Sequence, residues 1–370
     1  MQALSMSSGI RALLALAAIT AVPPTLLAQQ EEIEPKPAIQ ARLADESLLL
    51  DVIRAEQGYV AVGSRGHVLL SEKGREWRQA ASVPVQAALT RVTQFGRRLW
   101  AVGHDATILS STDAGETWFI QHREAQVDPR DPMVQAPILD VIFLNPKEGF
   151  AIGAYGRFMT TSDGGINWEI GHLSDRVTSE TINWADVARL QGDIETLPDE
   201  GDAEAVTSED AEALVNKGCY DFGECHLNAI LQLDSDRLMI AAERGYGFRS
   251  GDQGETWDAF RFPYTGSLFG LVEQDDCVLA FGLRGHVLKS CDFGDNWTDV
   301  PVDGEQTLMG GTVLDNGTAV LVGAGATLLR IDPAGQVQRD ADQLGGDYAS
   351  VAVGEEGGLI LVGEDGVEHE

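Results

Sequence analysis

Ser111-Thr112-Asp113-Ala114-Gly115-Glu116-Thr117-Trp118, Thr161-Ser162-Asp163-Gly164-Gly165-Ile166-Asn167-Trp168, Ser250-Gly251-Asp252-Gln253-Gly254-Glu255-Thr256-Trp257 and Ser290-Cys291-Asp292-Phe293-Gly294-Asp295-Asn296-Trp297 are four copies of one pattern, S/T-x-D-x-G-x-x-W. Each follows a hydrophobic hairpin tipped with Gly. The pattern has a structural reason. Ser or Thr and Asp side chains accept backbone N–H groups inside a tight turn, Gly supplies positive φ, and Trp is delivered to a packed interface. Asp113, Trp118, Asp163, Trp168, Asp252, Trp257, Asp292 and Trp297 are therefore assigned to fold stability rather than to ligand binding. A degenerate copy surrounds Glu72, Gly74 and Trp77, and the pattern is lost near Asp332 and Gly335.

Working outward, an apolar run precedes each copy: Val60-Ala61-Val62-Gly63, Trp100-Ala101-Val102-Gly103, Phe150-Ala151-Ile152-Gly153, Met239-Ile240-Ala241-Ala242, Leu279-Ala280-Phe281-Gly282, Val320-Leu321-Val322-Gly323 and Ile360-Leu361-Val362-Gly363. Gly63 to Gly103 and Gly323 to Gly363 are both forty positions. That period leaves room for one small antiparallel sheet per copy, so the expected fold is all-β, a seven-bladed β-propeller over residues 38–370. The last unit ends after its third strand. Ala38-Ile39-Gln40-Ala41-Arg42-Leu43 is expected to supply the missing outer strand of blade 7 and close the ring.

One interval breaks the rhythm. Gly153 to Ala242 spans eighty-nine positions, so an insertion at about residues 172–226 separates blades 3 and 4. It contains Trp184, an acidic stretch from Asp193 to Asp210, and a helix expected from Ser208 to Lys217, closed by Gly218. Its low apolar content and like charges favour partial disorder, and long insertions on rigid scaffolds often carry specific function. Strand parity places it on the rim formed by the turns between second and third strands. Arg65, His104, Tyr155, Arg244, Tyr246 and Arg284 are expected on the same rim and form the candidate binding face.

At the N-terminus, Arg11, the apolar run from Ala12 to Val22 and Leu26-Leu27-Ala28 read as a signal peptide over residues 1–28, with cleavage after Ala28 and a solvated tether over 29–37. The expected location is periplasmic or secreted. The full chain carries 26 basic and 58 acidic side chains, a formal charge of −32. Such a charge excludes nucleic acid and disfavours anionic membranes as partners. Four cysteines in a chain with an export signal point to disulfides. Cys277 and Cys291 lie equally far from the hairpin centre at Arg284, so they oppose one another across the ladder. Cys219-Cys225 is expected to close a short loop.

Arg65-Gly66-His67, Arg284-Gly285-His286 and the similar Arg244-Gly245-Tyr246 recur at one blade position. Three guanidinium groups could grip carboxylates of a partner; the plainer reading is that Arg tolerates an exposed turn. No metal-ligand spacing, no catalytic motif and no cofactor fingerprint occurs. Carboxylate pairs of the glycosidase kind arise by chance among so many acids.

The Asp-turns resemble the BNR/Asp-box repeats of sialidases and related propellers. The fuller pattern A-V-G-x-x-G-x-x-L-x-S-x-D-x-G-x-x-W resembles the photosystem II stability/assembly factor-like propellers over residues 45–370 apart from the insertion. No sialidase R-I-P run occurs, and Arg261-Phe262-Pro263 lies too late to match it. The second resemblance implies a non-catalytic protein that binds a membrane complex. In non-photosynthetic bacteria it implies a periplasmic accessory of a resistance-nodulation-division (RND) exporter. The expected partner is thus a membrane-complex component on its periplasmic side, with no direct membrane insertion and no cofactor. The alternative is a sialidase-like glycoside hydrolase or a carbohydrate-binding propeller.

Overall fold

Each apolar run becomes the second strand of a small antiparallel sheet, and these strands are buried along almost their whole length. Buried on both faces between neighbouring sheets, they have no solvent side and so read as continuous Val, Ile, Leu and Ala rather than as alternation. In the computed structural model, which describes residues 35–124, 136–181, 225–340 and 346–370, seven such sheets follow one another. Blades 1 to 7 occupy residues 49–79, 89–122, 138–172, 227–261, 268–299, 308–339 and 348–369. The chain is a seven-bladed β-propeller, nearly all β.

The core is distributed between the blades. Seven clusters of buried apolar side chains occupy the seven junctions, one each. The seventh joins Leu49, Val52 and Ala61 of blade 1 to Ala352, Ile360 and Val362 of blade 7. Ring closure is thus carried by apolar packing of the same kind as every other junction.

Closure differs from the expected strand exchange. Among the described residues blade 7 has three strands, and residues 38–43 form no strand on it. This segment instead lies along the exit of blade 1, where the Ala38 N–H donates to the Val83 carbonyl at 2.9 Å and Gln79 and Gln86 donate side-chain amides to Ile39 and Pro37. Only the following turn touches the blade 7 edge, with the Val367 N–H donating to the Asp45 carbonyl at 2.9 Å. Backbone groups next to the blade 1 exit satisfy the segment before it can reach the more distant edge.

The first stretch of the insertion joins blade 4. After a single 3-10 turn at Leu173–Asp175, Val177–Thr181 adds a fifth strand to blade 4, parallel to its outer strand Trp257–Arg261. The chain leaves the described residues beside Phe260 and returns at Cys225, whose carbonyl accepts the Gly156 N–H at 2.7 Å. Both points lie at the end of the blades that carries the turns between second and third strands, as strand parity requires. The signal peptide at 1–28, tether residues 29–34, Trp184, the Ser208–Lys217 helix and Cys219 lie outside the described residues.

The Asp-turns share one hydrogen-bond scheme. In blade 2 the Ser111 hydroxyl donates to Asp113 Oδ1 at 2.8 Å and accepts the Gly115 N–H, while Asp113 accepts both the N–H and the hydroxyl of Thr117. Blades 3, 4 and 5 repeat it around Asp163, Asp252 and Asp292. Blade 1 keeps the frame with one residue fewer: Ser71 Oγ accepts the Gly74 N–H and Trp77 donates to the Gly74 carbonyl. Cys277 and Cys291 form a disulfide across the blade 5 hairpin with Cα atoms 4.1 Å apart, as their opposition across the turn predicts. Cys225 is also disulfide-bonded.

Candidate functional site

The turns between second and third strands build one rim of the ring. In blades 1, 3, 4 and 5 the turn places Arg65, Tyr155, Arg244 and Arg284 in the left-handed region, with φ of 57°, 56°, 58° and 55°. A Gly at positive φ follows each. Two consecutive residues at positive φ make a type I′ hairpin turn, where Asn-Gly is the usual solution. Long side chains at its first central position project from the rim at a conformational cost, which makes them notable. Gly is required at the second position for a further reason. A Cβ on Gly245 would sit 2.0 Å from the Tyr264 carbonyl oxygen, because the link to the next blade crosses there.

Arg65, Arg244 and Arg284 are exposed, Tyr155 is half-buried, and His104 is exposed in the blade 2 turn. Arg65 and Arg284 have no hydrogen-bond or ion-pair partner among the described residues. Tyr155 stands edge-on to His226, with ring centres 5.1 Å apart. Tyr246 differs from expectation: it is buried, at 2 % exposure, and the Arg261 guanidinium lies 3.4 Å over its ring. Arg244-Gly245-Tyr246 superposes on Arg65-Gly66-His67 in the repeat, and the third residue of that triplet leads into the third strand and turns inward, as buried His67 also does. Arg261 donates to the Arg244 carbonyl at 2.8 Å, and Tyr264 stacks on His286 with ring centres 3.8 Å apart. Arginine and aromatic groups thus concentrate where blades 4 and 5 meet, a composition that carries much of the energy in protein interfaces.

The histidines of these turns are tuned. Burial is the leading cause that holds His67 and His286 below the ordinary imidazole value; Arg65 adds to it at His67, and at His286 Arg284 adds to it while Asp299 opposes it. His67 also shares a 2.9 Å hydrogen bond between its Nδ1 and Ser47 Oγ. A base whose folded value is lowered binds its proton later than the unfolded chain does, so its contribution is complete above about pH 6.5 and is lost as pH falls below it. Replacing His67 by Gln should therefore flatten the pH dependence. The stability difference between wild type and H67Q, measured by urea unfolding, is expected to move in favour of the variant between pH 7.5 and pH 5. A pH-independent difference would refute the assignment.

A second feature sits on the ring axis. Every inner strand has a register irregularity after its first residue, and the residue just past it is Asp51, Arg91, Asp140, Ala229, Gly270, Gly310 or Ser350. Four of these line a central channel of ≈ 490 Å³: Asp51, Arg91, Asp140 and Ser350. Arg91 Nε donates to Asp140 Oδ1 at 3.0 Å, and Arg91 Nη1 reaches Asp51 Oδ1 at 3.5 Å. Asp51 also accepts the Ser350 hydroxyl at 2.8 Å and the Val92 N–H at 2.9 Å, and Asp140 accepts the Ile230 N–H at 2.9 Å. The inner strands of blades 7, 1, 2, 3 and 4 are thereby stapled in series. Asp140 foremost, against the opposing effect of burial, and then Asp51 hold the Arg91 guanidinium above its already high value. The sequence signal was present but unused: a charged residue inside an apolar strand, recurring forty positions apart at Asp51 and Arg91.

Among the described residues no three His, Cys, Asp or Glu side chains converge as metal ligands, and no helix is long and apolar enough to cross a membrane.

The sequence matches no family model and no curated protein. Solved structures share the fold. YCF48 from Cyanidioschyzon merolae superposes with a TM-score of 0.60 at 18% identity, covering 89% of this chain and 96% of that one. YCF48 bound to a D1 peptide gives 0.57 at 16% identity, covering 90% and 97%. Streptogramin B lyase gives 0.61 at 11% identity, covering 89% and 95%. At such identities the likeness concerns the propeller itself, a fold that serves binding proteins and enzymes alike.

Proposed function

We propose that the chain is a non-catalytic, exported propeller that binds a protein partner through the turn rim, acting as a periplasmic accessory or assembly factor for a membrane complex such as an RND-type exporter. The observation that carries this reading is the placement of Arg65, Arg244 and Arg284 at left-handed positions on one rim of a chain with formal charge −32. In such a chain, exposed guanidinium groups spent at conformationally costly positions favour recognition of carboxylates on a partner. The peptide-bound state of YCF48 supports the use of this fold for a protein ligand. The apolar N-terminal segment and the Cys277–Cys291 disulfide support export.

Two variants of the protein lacking residues 1–28 test the reading, each used to recover partners from a membrane extract of the source cells. In one, Arg65, Arg244 and Arg284 are replaced by Glu; in the other, residues 182–218 are replaced by a short linker, which spares Val177–Thr181. The triple variant is expected to lose at least about tenfold in recovery of the partner, a loss that reports roughly 1.4 kcal/mol or more. Equal recovery by wild type and the triple variant would refute the rim as the binding face, and equal recovery by the linker variant would remove the insertion from it.

A further inference from the structure

Away from both rims, the outer edges of the blades differ in a way that points to a second docking surface. Outer strands present unpaired backbone groups, and proteins blunt such edges with short length, charge or a cover. Blade 1 ends in Arg78–Gln79 and blade 5 in Thr298–Asp299, two residues each. Blades 3, 6 and 7 carry Glu169, Arg339 and Glu368 in their outer strands, and blade 4 is covered by Val177–Thr181. The outer strand of blade 2, Phe119–His122, is four residues long and contains no Asp, Glu, Lys or Arg. Its Phe119 is 64% exposed and Ile120 38%.

The neighbouring blade extends this strip. Gln121 donates its side-chain amide to the Gly164 carbonyl at 3.1 Å, tying the strand to the blade 3 Asp-turn. Two residues on, Ile166 is 70% exposed, and Ile170 of the next strand is 58% exposed. Four large apolar side chains are therefore presented along the outside of blades 2 and 3 in a strongly acidic chain.

The molecule also shows what fits such an edge. On blade 4 an extended segment lies parallel to the outer strand, beginning where the Trp257 N–H donates to the Arg176 carbonyl at 2.9 Å. Blade 2 starts the same arrangement. The Trp118 N–H donates to the Ser82 carbonyl at 3.0 Å, and Ser82 bridges Thr117 in parallel. After that single bridge the blade 1 exit turns away, so among the described residues no strand takes along Phe119–His122 the position occupied on blade 4. We propose that this edge takes an extended, uncharged segment of a partner protein, added as a parallel fifth strand whose side chains on one face pack against Phe119 and on the other face against Ile120.

The probe is a fluorescein-labelled peptide of alternating Val and Thr flanked by Ser, titrated into the protein lacking residues 1–28. Anisotropy should report saturable binding, and hydrogen exchange should slow at the amides of residues 119–122 rather than at other blade edges. Phe119→Thr and Ile120→Thr, singly and together, keep β propensity and alter exposed groups only; the double variant should bind about tenfold more weakly with an unchanged urea midpoint. Absence of binding, protection at another edge, or full binding by the double variant would each overturn the proposal. So would a concentration-dependent dimer of the wild type, abolished by the same substitutions, because the occupant would then be a second copy of this chain. None of these outcomes depends on the arginine rim.

Discussion

Replacing Arg91 by Met is expected to destabilise the propeller by about 3 kcal/mol, because it strands two carboxylates that the fold has already enclosed. Asp51 and Asp140 have side-chain exposures of only 3% and 6%. Each still accepts backbone N–H groups, from Val92 and Ile230 respectively, so neither can swing out to water without leaving a donor unpaired. Arg91 itself retains 29% exposure to the channel, which lets water reach the pair and sets the expectation at the lower end of the range for a broken buried ion pair. A further measurement separates charge from packing: Asp51→Asn with Asp140→Asn in the R91M background should recover most of the deficit at pH 7. A loss below about 1 kcal/mol in urea unfolding at pH 7 would mean that channel water solvates the carboxylates and the network contributes little.

How much of this was legible beforehand depended on whether a feature was periodic and local. The seven apolar runs, their Gly termini and the Asp-turns are short-range patterns, and each became the element its residues dictate. The Cys277–Cys291 bridge was equally local, since a hairpin centre fixes which residues oppose one another. The failures concern pairings between distant segments. Residues 38–43 read as a strand but carry no mark of which edge they join, and the partner they found was the blade 1 exit. Val177-Thr178-Ser179-Glu180-Thr181, within the expected insertion, is rich in β-formers, but nothing in it marks its blade 4 partner about eighty residues away. On the rim, Arg65, Arg244 and Arg284 occupy the turns between second and third strands at positive φ. Tyr246 was misplaced by one position in the repeat: the residue after the Gly leads into the third strand and faces inward. The channel charges carry no mark within any single strand; only when the strands are aligned by repeat do Asp51, Arg91, Asp140 and Ser350 fall into one column.

The tryptophans that end the Asp-turns should not be equivalent, and Trp257→Ala is expected to be the most damaging substitution among them, at about 3–5 kcal/mol. Trp257 is 1% exposed and belongs to the cluster joining blades 3 and 4, where it meets Phe158 edge-on at 6.0 Å. Its indole N–H donates to the Gly254 carbonyl at 3.1 Å, so truncation removes a hydrogen bond along with a large apolar volume. Its backbone N–H anchors the strand added to blade 4, so loosening this residue also loosens Val177–Thr181. Trp168 is held less firmly: it is half-buried, and although it meets Phe143 edge-on at 5.9 Å its indole nitrogen has no hydrogen-bond partner among the described residues. Trp168→Ala should cost less than half as much. Asp252→Ala, which removes the acceptor for Thr256 while leaving Trp257 in place, should cost about 1 kcal/mol. If the Trp257 and Trp168 variants lost the same stability, the turn residues would be working through local turn geometry. A loss concentrated at Trp257 would locate the repeat's energetic role at the junctions between blades, where the seven clusters close the ring.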